Sequence, residues 1–299
     1  MQVIYLDQNA ACYLAKSNPD AIWREIKATL AKGFHDRKLI CPLPFECIME
    51  TAPRPLELRQ SIQSLFWQLS EGVAFKAFTE ISNELTLALI RPMSGWSPWI
   101  IWKPIWAEME SATQKVKSDW QSEKERMTER MNNFVRSSNL KKMTERELFH
   151  AAASQRSGWI CNDLDRLLAG QTTENSFKCS WLIEFLISAN LCPAEIEALK
   201  KAVQHRGWTK IPIHAFEILL GAKWEYDDIR GGVASYSPND EIDRQRAAVA
   251  LNHADVFITE GDLANLCRKA KVSDYSKTVV LSVRNPKEIL ASIQSITSI

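Results

Sequence analysis

The chain has 299 residues, and its hydrophobic share of 45% and charged share of 24% are ordinary for a globular protein. These values exclude a disordered or fibrous chain, and the length allows one large domain or a smaller domain with an insertion. The formal net charge of +1 excludes the strong overall positive field of a histone-like binder, so any nucleic-acid surface must be a local patch.

Short apolar runs that alternate with helical patterns mark both ends of the chain. The predicted order is a strand at 3–6, a helix through about 15, a helix from about 20, a strand at 39–43, a helix at 44–51, a helix at 56–69 and a strand at 73–75. Strand-like runs return only at 255–259 and 278–281. This alternation predicts an α/β fold, an open parallel sheet of about five strands with helices on both faces.

The middle of the chain differs, because nearly every convincing pattern between about 79 and 226 is helical. The clearest predicted helix, at 106–135, is rich in Glu, Lys, Arg, Gln and Met, which are good helix formers. We therefore divide the chain into an α/β core, residues 1–78 plus 236–299, and a large all-helical insertion, residues 79–235.

The seven cysteines are odd in number, scattered, and without a Cys-x-x-Cys pair, and the five histidines stand far apart. This pattern argues against a zinc site and a disulfide framework, and it favours a reduced cytoplasmic setting. The N-terminal residues reach Asp7 without a basic region or a long apolar stretch. We therefore expect neither a signal peptide nor a membrane-spanning segment.

Acidic residues from both ends of the chain are predicted to meet at one edge of the sheet. Asp7 and the turn at 259–262 follow strands directly, Glu50 lies on the helix after the second strand, and Asp243 lies on the helix before 255–259. Ligands of open parallel sheets bind beyond the carboxyl ends of the strands. Four acids there repel one another unless a cation or protons neutralise them, and oxygen ligands suit Mg²⁺ or Mn²⁺.

Several stretches resemble the acidic motifs of PIN-domain nucleases, in the same order. They are Tyr5-Leu6-Asp7-Gln8-Asn9; Pro42-Leu43-Pro44 with Glu50-Thr51; Asn239-Asp240-Glu241-Ile242-Asp243 before Ala247-Ala248-Val249-Ala250-Leu251; and Asp255-Val256-Phe257-Ile258-Thr259-Glu260. The resemblance covers roughly residues 1–75 and 236–290. The insertion is unmatched by a minimal PIN domain, and it suits a larger PIN-like subgroup whose members also begin Leu-Asp-Gln-Asn.

The resemblance implies a metal-dependent nuclease, first of all a ribonuclease, whose cuts leave 5′-phosphates. It implies that Asp7, Glu50, Asp243 and Glu260 hold one or two Mg²⁺ or Mn²⁺ ions and carry the hydrolysis. Single-stranded or structured RNA is the first substrate expected, and single-stranded DNA is the second. Many relatives are toxins paired with an antitoxin or act in phage defence, and many form homodimers, so such partners are implied by analogy only.

At the first two motifs, simpler structural roles are also open. Asp7 could cap the following helix, and Asn9 could orient Asp7 or a ligand water. Glu46 and Glu50 share one helical face because they are four residues apart. We favour Glu50 as the ligand because of its distance from the strand, whereas an acid at Glu46 is favoured in any first turn by the helix dipole.

At the last two motifs, neighbouring acids compete for the same role. Asp243 precedes the small alanines that let its helix approach the sheet, whereas Asp240 could be a helix cap, an accessory ligand or both. Glu260 directly follows Thr259, which is expected to hydrogen-bond in the site. Asp262 could reach a metal through water, or it could cap the next helix.

Residues in the insertion offer weaker signals. The tryptophans Trp96, Trp99, Trp102 and Trp106 could stack on unpaired bases, but packing against the sheet domain or a partner is the simpler interpretation. Arg230 is a candidate phosphate contact. His214 is expected to be a helix-start or packing residue.

Sequence motifs of other enzyme classes are missing or broken in this chain. Neither GxGxxG nor GxxxxGK[ST] occurs, so a kinase, NTPase or dinucleotide enzyme is not expected. A phosphate-monoester hydrolase stays an alternative, although Gln8 and Asn9 after Asp7 break the DxDx[TV] nucleophile motif. A second alternative is a catalytically degenerate nucleic-acid-binding or scaffold protein that works through the insertion.

Overall fold

The computed structural model describes residues 1–51, 54–101, 143–171, 177–231 and 238–298. The predicted helix at 106–135, together with Trp102 and Trp106, lies outside these residues. The strands are β1 (Gln2–Leu6), β2 (Leu39–Ile40), β3 (Val73–Phe75), β4 (Trp99–Ile101), β5 (Val256–Thr259) and β6 (Val279–Ser282).

The helices are α1 (Gln8–Ala15), α2 (Ala21–His35), α3 (Phe45–Thr51), α4 (Leu56–Ser70), α5 (Phe78–Leu87), α6 (Glu145–Leu168), α7 (Ser180–Ser188), α8 (Pro193–Arg206), α9 (Pro212–Gly231), α10 (Pro238–His253), α11 (Gly261–Lys269) and α12 (Pro286–Ser298). Short 3-10 turns lie at Trp208–Lys210 and Val272–Asp274.

Four parallel strands form the main sheet, in the order β2-β1-β5-β6. The first strand of the chain therefore lies beside a strand from its last 50 residues. Ile4 pairs with Val256, and Leu6 pairs with Ile258. The chain proceeds from β1 outwards to β2 and from β5 outwards to β6, so the strand order reverses between β1 and β5, where such sheets bind ligands.

The predicted α/β class is confirmed, and the main parallel sheet has four strands where about five were predicted. β3 pairs antiparallel with β4 in a separate two-stranded sheet, and one parallel bridge links Ala74 to Leu43 beyond β2. The prediction of an all-helical segment from residue 79 onwards missed β4. That strand has only three residues, too few to give a periodic signal.

The described residues fall into two compact units. The first contains those within Met1–Ala77, Ser97–Ser137 and Ala234–Ile299, and the second those within Phe78–Trp96 and Ser138–Val233. The first unit holds both sheets, and the described residues of the second form α5 to α9 with the 3-10 turn at Trp208–Lys210. Of the described helices, none is long and apolar enough to cross a bilayer.

Both faces of the main sheet are buried, which explains why β1 and β5 are continuous apolar runs. Ile4 and Leu6 face a cluster formed with helices α1, α2, α4 and α12. Tyr5 faces the other way, where its ring contacts Phe257 and Phe75 at centroid distances of 5.4 Å and 5.0 Å. Because β1 is held on both faces, the position of the residue after it, Asp7, is well defined.

Candidate functional site

The candidate site lies at the carboxyl ends of β1 and β5, within the first unit. The parallel pairing of these strands continues one step beyond β1, since the Asp7 amide donates to the Ile258 carbonyl at 3.0 Å. Strand register therefore sets Asp7 beside Thr259 and Glu260, although 252 and 253 positions separate them in the sequence.

Asp7 is fully buried, and both of its carboxylate oxygens accept hydrogen bonds. Oδ1 accepts from the Ala10 amide at 2.8 Å and caps α1. Oδ2 accepts from the Thr259 hydroxyl at 2.5 Å and from the Glu260 amide at 2.8 Å. Asp7 is thus a helix cap, as the simpler interpretation held, and also the residue that ties β1 to the end of β5.

Glu260 occupies the N-cap position of α11, but its side chain makes no capping hydrogen bond. Its Oε2 instead accepts from the Asn9 side-chain amide at 3.0 Å. The hydrogen bond of Asn9 therefore goes to Glu260, and not to Asp7 as one interpretation expected. The hydroxyl of Thr259 bonds within the site, as expected.

The two acids of α3 have different surroundings. Glu46 is 6% exposed and accepts a hydrogen bond from the Tyr5 hydroxyl at 3.3 Å. Glu50 reaches the buried guanidinium of Arg246, whose Nη2 donates to Glu50 Oε1 at 2.6 Å. The structure therefore places Glu50 on the side of Asp243, and it places Glu46 against the aromatic residue of β1.

Asp243 joins the same group through Arg246, three residues later on α10. Arg246 Nη2 lies 3.2 Å from Asp243 Oδ1, so one guanidinium nitrogen contacts both carboxylates. The side chain of Arg246 is 3% exposed, against 22% for each acid. The buried alanines Ala247 and Ala248 bring this part of α10 close to its neighbours, as the sequence predicted.

Burial and mutual repulsion raise the pKa values of two of the acids. Burial of the carboxyl group is the largest cause that raises the pKa of Asp243, to about 7. Arg246 opposes this shift, and the negative charges of Glu260, Glu50 and Asp7 add to it. Burial and the charge of Asp7 also raise the pKa of Glu260 above its ordinary range. The four acids thus form one electrostatic cluster.

Sequence reasoning missed Arg246. Its burial favours the neutral form, but the carboxylates of Glu50 and Asp243 outweigh this, and the pKa of Arg246 stays above its ordinary value. The sequence did contain a signal, because a basic residue stands three positions after the candidate acid Asp243 and directly before the alanines at 247 and 248. A charged residue that is almost fully buried requires a partner of opposite charge.

Asp262 lies apart from this cluster. Its side chain is 82% exposed and pairs with Arg284 Nη2 at 3.1 Å. Arg284 lies two residues beyond the end of β6. It does not cap α11, because Glu260 holds the N-cap position. A Cβ on Gly261 would overlap the Arg284 side chain, so the absence of a side chain there lets the guanidinium lie against the start of α11. Arg284 was also missed by sequence reasoning.

The remaining candidates make weaker cases. Asp240 is half-buried and is the third residue of α10, which begins at Pro238, so it lies inside the first turn and is not the N-cap. Arg230 lies on α9, and its side chain is outside the described residues. His214 is confirmed as a packing residue near the start of α9, stacked on Trp208 at 4.1 Å.

The two described tryptophans of the cluster pack separately within their own units. Trp96 Nε1 donates to Glu84 at 2.8 Å in the second unit. Trp99 packs against Phe75 in the first unit, with ring centroids 4.7 Å apart. These contacts are those of packing residues.

The oxygen atoms of the cluster suit a hard cation. Glu50 Oε2 is buried and has no hydrogen-bond partner, and Asp7 Oδ1 accepts one hydrogen bond, from the Ala10 amide. Within the described residues, no three His, Cys, Asp or Glu side chains are grouped as a ready-made metal cage. Mg²⁺ seldom uses such a cage, because it keeps several waters and binds through one or two carboxylates and substrate phosphates.

Comparison of the chain with protein-family models, with curated proteins and with solved structures found no match in any of the three. The chemistry of the site itself therefore carries the functional inference.

Proposed function

We propose that this chain is a Mg²⁺- or Mn²⁺-dependent nuclease with a PIN-like core, and that it hydrolyses phosphodiester bonds in RNA. One observation carries the proposal. Four carboxylates from both ends of the chain converge where the strand order reverses, and their burial and repulsion raise the pKa of Asp243 to about 7. Keeping such a cluster is costly to stability, which is typical of functional sites.

In this proposal Asp7, Glu50, Asp243 and Glu260 hold the cation, with Glu50 Oε2 and Asp7 Oδ1 as the available oxygens described above. A bound divalent cation supplies positive charge to the phosphate and lowers the pKa of water. Asp243 contributes a carboxylate whose pKa in the cation-free fold is about 7, and a bound cation would favour its ionised form.

The other residues position these groups. Thr259 and the Glu260 amide fix Asp7 Oδ2, so Asp7 has little freedom to rotate. Asn9 donates a hydrogen bond to the Glu260 carboxylate. Arg284, which is 68% exposed just beyond the end of β6, is in this proposal a contact for a phosphate of the substrate backbone.

The test is cleavage of end-labelled single-stranded RNA and DNA with Mg²⁺ or Mn²⁺, with EDTA as the blank. Wild type is compared with Asp7→Asn and Asp243→Asn, and Asp274→Asn is the matched control. Asp274 is an exposed acid in the turn before β6, so the same chemical change there should leave cleavage unchanged. The proposal fails if wild type and both site variants cleave neither substrate with either metal.

A second candidate has support from Arg246. Its buried guanidinium already neutralises part of the cluster, so a catalytically degenerate chain that binds nucleic acid without cutting it is also consistent with this geometry. Binding of labelled RNA by wild type without any cleavage, and with no change in affinity on adding Mn²⁺, would favour this candidate. Cleavage of a phosphate monoester but never of RNA or DNA would favour the monoester hydrolase.

A further inference from the structure

Arg246 is a buried positive charge inside the acid cluster. One nitrogen, Nη2, contacts Glu50 Oε1 at 2.6 Å and Asp243 Oδ1 at 3.2 Å. A guanidinium that joins two carboxylates through one atom does what a bridging cation does, and it neutralises both without a metal.

The charges near Arg246 come from every element around it. Glu50 comes from α3, Asp243 from α10 itself and Asp7 from the end of β1, and all three favour its charged form. With all four carboxylates ionised, as a bound cation favours, the acids and the guanidinium together have a formal charge of minus three. One divalent ion reduces this to minus one, and a second would make the site positive.

The unpaired polar atoms indicate which side remains open to a ligand. Arg246 Nε and Glu50 Oε2 are buried and lack hydrogen-bond partners, although their side chains are paired through other atoms. Glu50 therefore gives one oxygen to the guanidinium and keeps the other available. A metal that used both oxygens of Glu50 would have to displace a side chain that is 3% exposed.

We infer that Arg246 is a built-in cation that limits the site to one divalent ion and that positions Glu50 and Asp243 around it. This inference rests on the proposed function, because it takes the four acids as the metal site. Arg246 is here a positioning residue, since it acts through the two carboxylates.

The experiment counts Mn²⁺ ions bound to the full-length chain, by calorimetry and by electron paramagnetic resonance of free Mn²⁺, at low ionic strength. Wild type should bind one ion. Arg246→Met removes the guanidinium and leaves two neighbouring carboxylates without compensation, so it should bind Mn²⁺ at least about 10-fold more tightly and take up a second ion. Arg246→Lys keeps the charge and should again bind one ion.

The thermal midpoint gives a second readout. Saturating Mn²⁺ should raise the midpoint of Arg246→Met by at least about 5 °C more than that of wild type, because the ions replace the lost positive charge. Should Arg246→Met fail to fold, Arg246→Gln serves in its place, since it removes the charge but keeps an N–H donor for Glu50.

The outcomes separate the two proposals. The role of Arg246 would be overturned if wild type bound two ions. It would also be overturned if the charge-removing variant bound one ion with unchanged affinity. Either result would leave the nuclease proposal intact. A wild-type chain that binds no Mn²⁺ would overturn both. One ion on wild type and Arg246→Lys, with tighter binding of two by the charge-removing variant, is the expected result.

Discussion

Two buried polar sites, one in each unit, differ in the charge of their groups. In the second unit, Ser82 and His214 are 0% and 1% exposed, and Ser82 Oγ lies 3.0 Å from His214 Nε2. Both groups are neutral, since burial, aided by the charge of Arg156, holds the pKa of His214 well below its ordinary value. Packing of the His214 ring on Trp208 completes this arrangement.

At the carboxyl edge of the main sheet, by contrast, the buried polar groups are charged and repel one another. Neutral buried groups with hydrogen-bond partners support a fold, whereas a cluster of like charges lowers its stability. The Ser82–His214 pair therefore suits a structural role, whereas under the proposed function the acid cluster of the first unit is kept for a cation. Four predictions test this difference.

The largest effect is expected on cleavage. Asp7→Asn should reduce the rate by more than about 100-fold, because loss of a direct ligand should exceed the effect of losing a supporting contact. Asparagine is as good a helix cap as aspartate, so α1 should remain folded, although its Nδ2 would face the Glu260 amide and cost some stability. Ser82→Ala, in the polar core of the second unit, should leave the rate unchanged. If both variants lost cleavage activity equally, with unchanged circular dichroism, the distinction between the acid cluster and the Ser82–His214 pair would be contradicted.

In EDTA, the free energy of unfolding should fall as pH rises, because Asp243 loses its proton. Its pKa is about 7 in the fold, against 3.8 for an ordinary aspartate, so the folded state holds the proton more tightly. The stabilising protonated form is present at pH 4 and is lost as pH rises through 7, a contribution of up to about 4 kcal/mol. Asp243→Asn should therefore gain stability over wild type at pH 8 but not at pH 4. Urea titrations at both pH values measure this, and a loss at pH 8 would refute it.

The opposite pH dependence is expected from His214. Its folded pKa is depressed, so the unfolded chain takes up a proton below about pH 6.5 while the folded chain does not, and stability falls as pH falls. His214→Phe should reduce this acid-side slope, at a cost of about 1–3 kcal/mol at pH 7.5 for the lost partner of Ser82. Part of the slope should survive, because burial also lowers the pKa of His253 to about 4. An unchanged slope in urea titrations would show that His214 is not buried as a neutral group.

The smallest effect is expected at the exposed rim. Arg284→Ala should raise KM for RNA by about 3- to 10-fold through a lost phosphate contact, and it should reduce the salt dependence of binding. Its ion pair with Asp262 is exposed, so the thermal midpoint should change little. Asp262→Ala removes the same ion pair but not the guanidinium, and it should leave KM unchanged or lower. A raised KM in both variants would assign the effect to the pair.

Much of the local structure followed from the sequence. The continuous apolar runs at Val3–Leu6 and at 255–259 predicted buried parallel strands, and the observed strands are Gln2–Leu6 and Val256–Thr259. Helices α3 and α4 begin and end within one residue of the predicted limits, α1 ends at the predicted residue, and α2 begins one residue after the predicted start. These features depend on side-chain periodicity and on prolines such as Pro44 and Pro55, which act over a few residues.

The sequence also indicated which acids to compare, because residues after strand ends in a parallel sheet must share an edge. It left Glu46 against Glu50, and Glu260 against Asp262, as pairs of near neighbours. Local sequence could not separate them, since each pair shares the same short element. Their tertiary surroundings separate them: Glu46 faces Tyr5, and Asp262 turns outwards to Arg284.

Only the tertiary structure revealed Arg246 as the partner of acids from α3 and α10. The contact with Glu50 spans 196 residues, and no periodicity encodes such a pairing. The pairing of β3 also came only from the tertiary structure, because β3 pairs antiparallel with β4 and joins the parallel strands through one bridge alone. The sequence by itself thus determined the elements and the acids at their ends, through short-range preferences. The fold decided how those charges are balanced, because electrostatic energy depends on distances and burial that arise only when the chain ends meet.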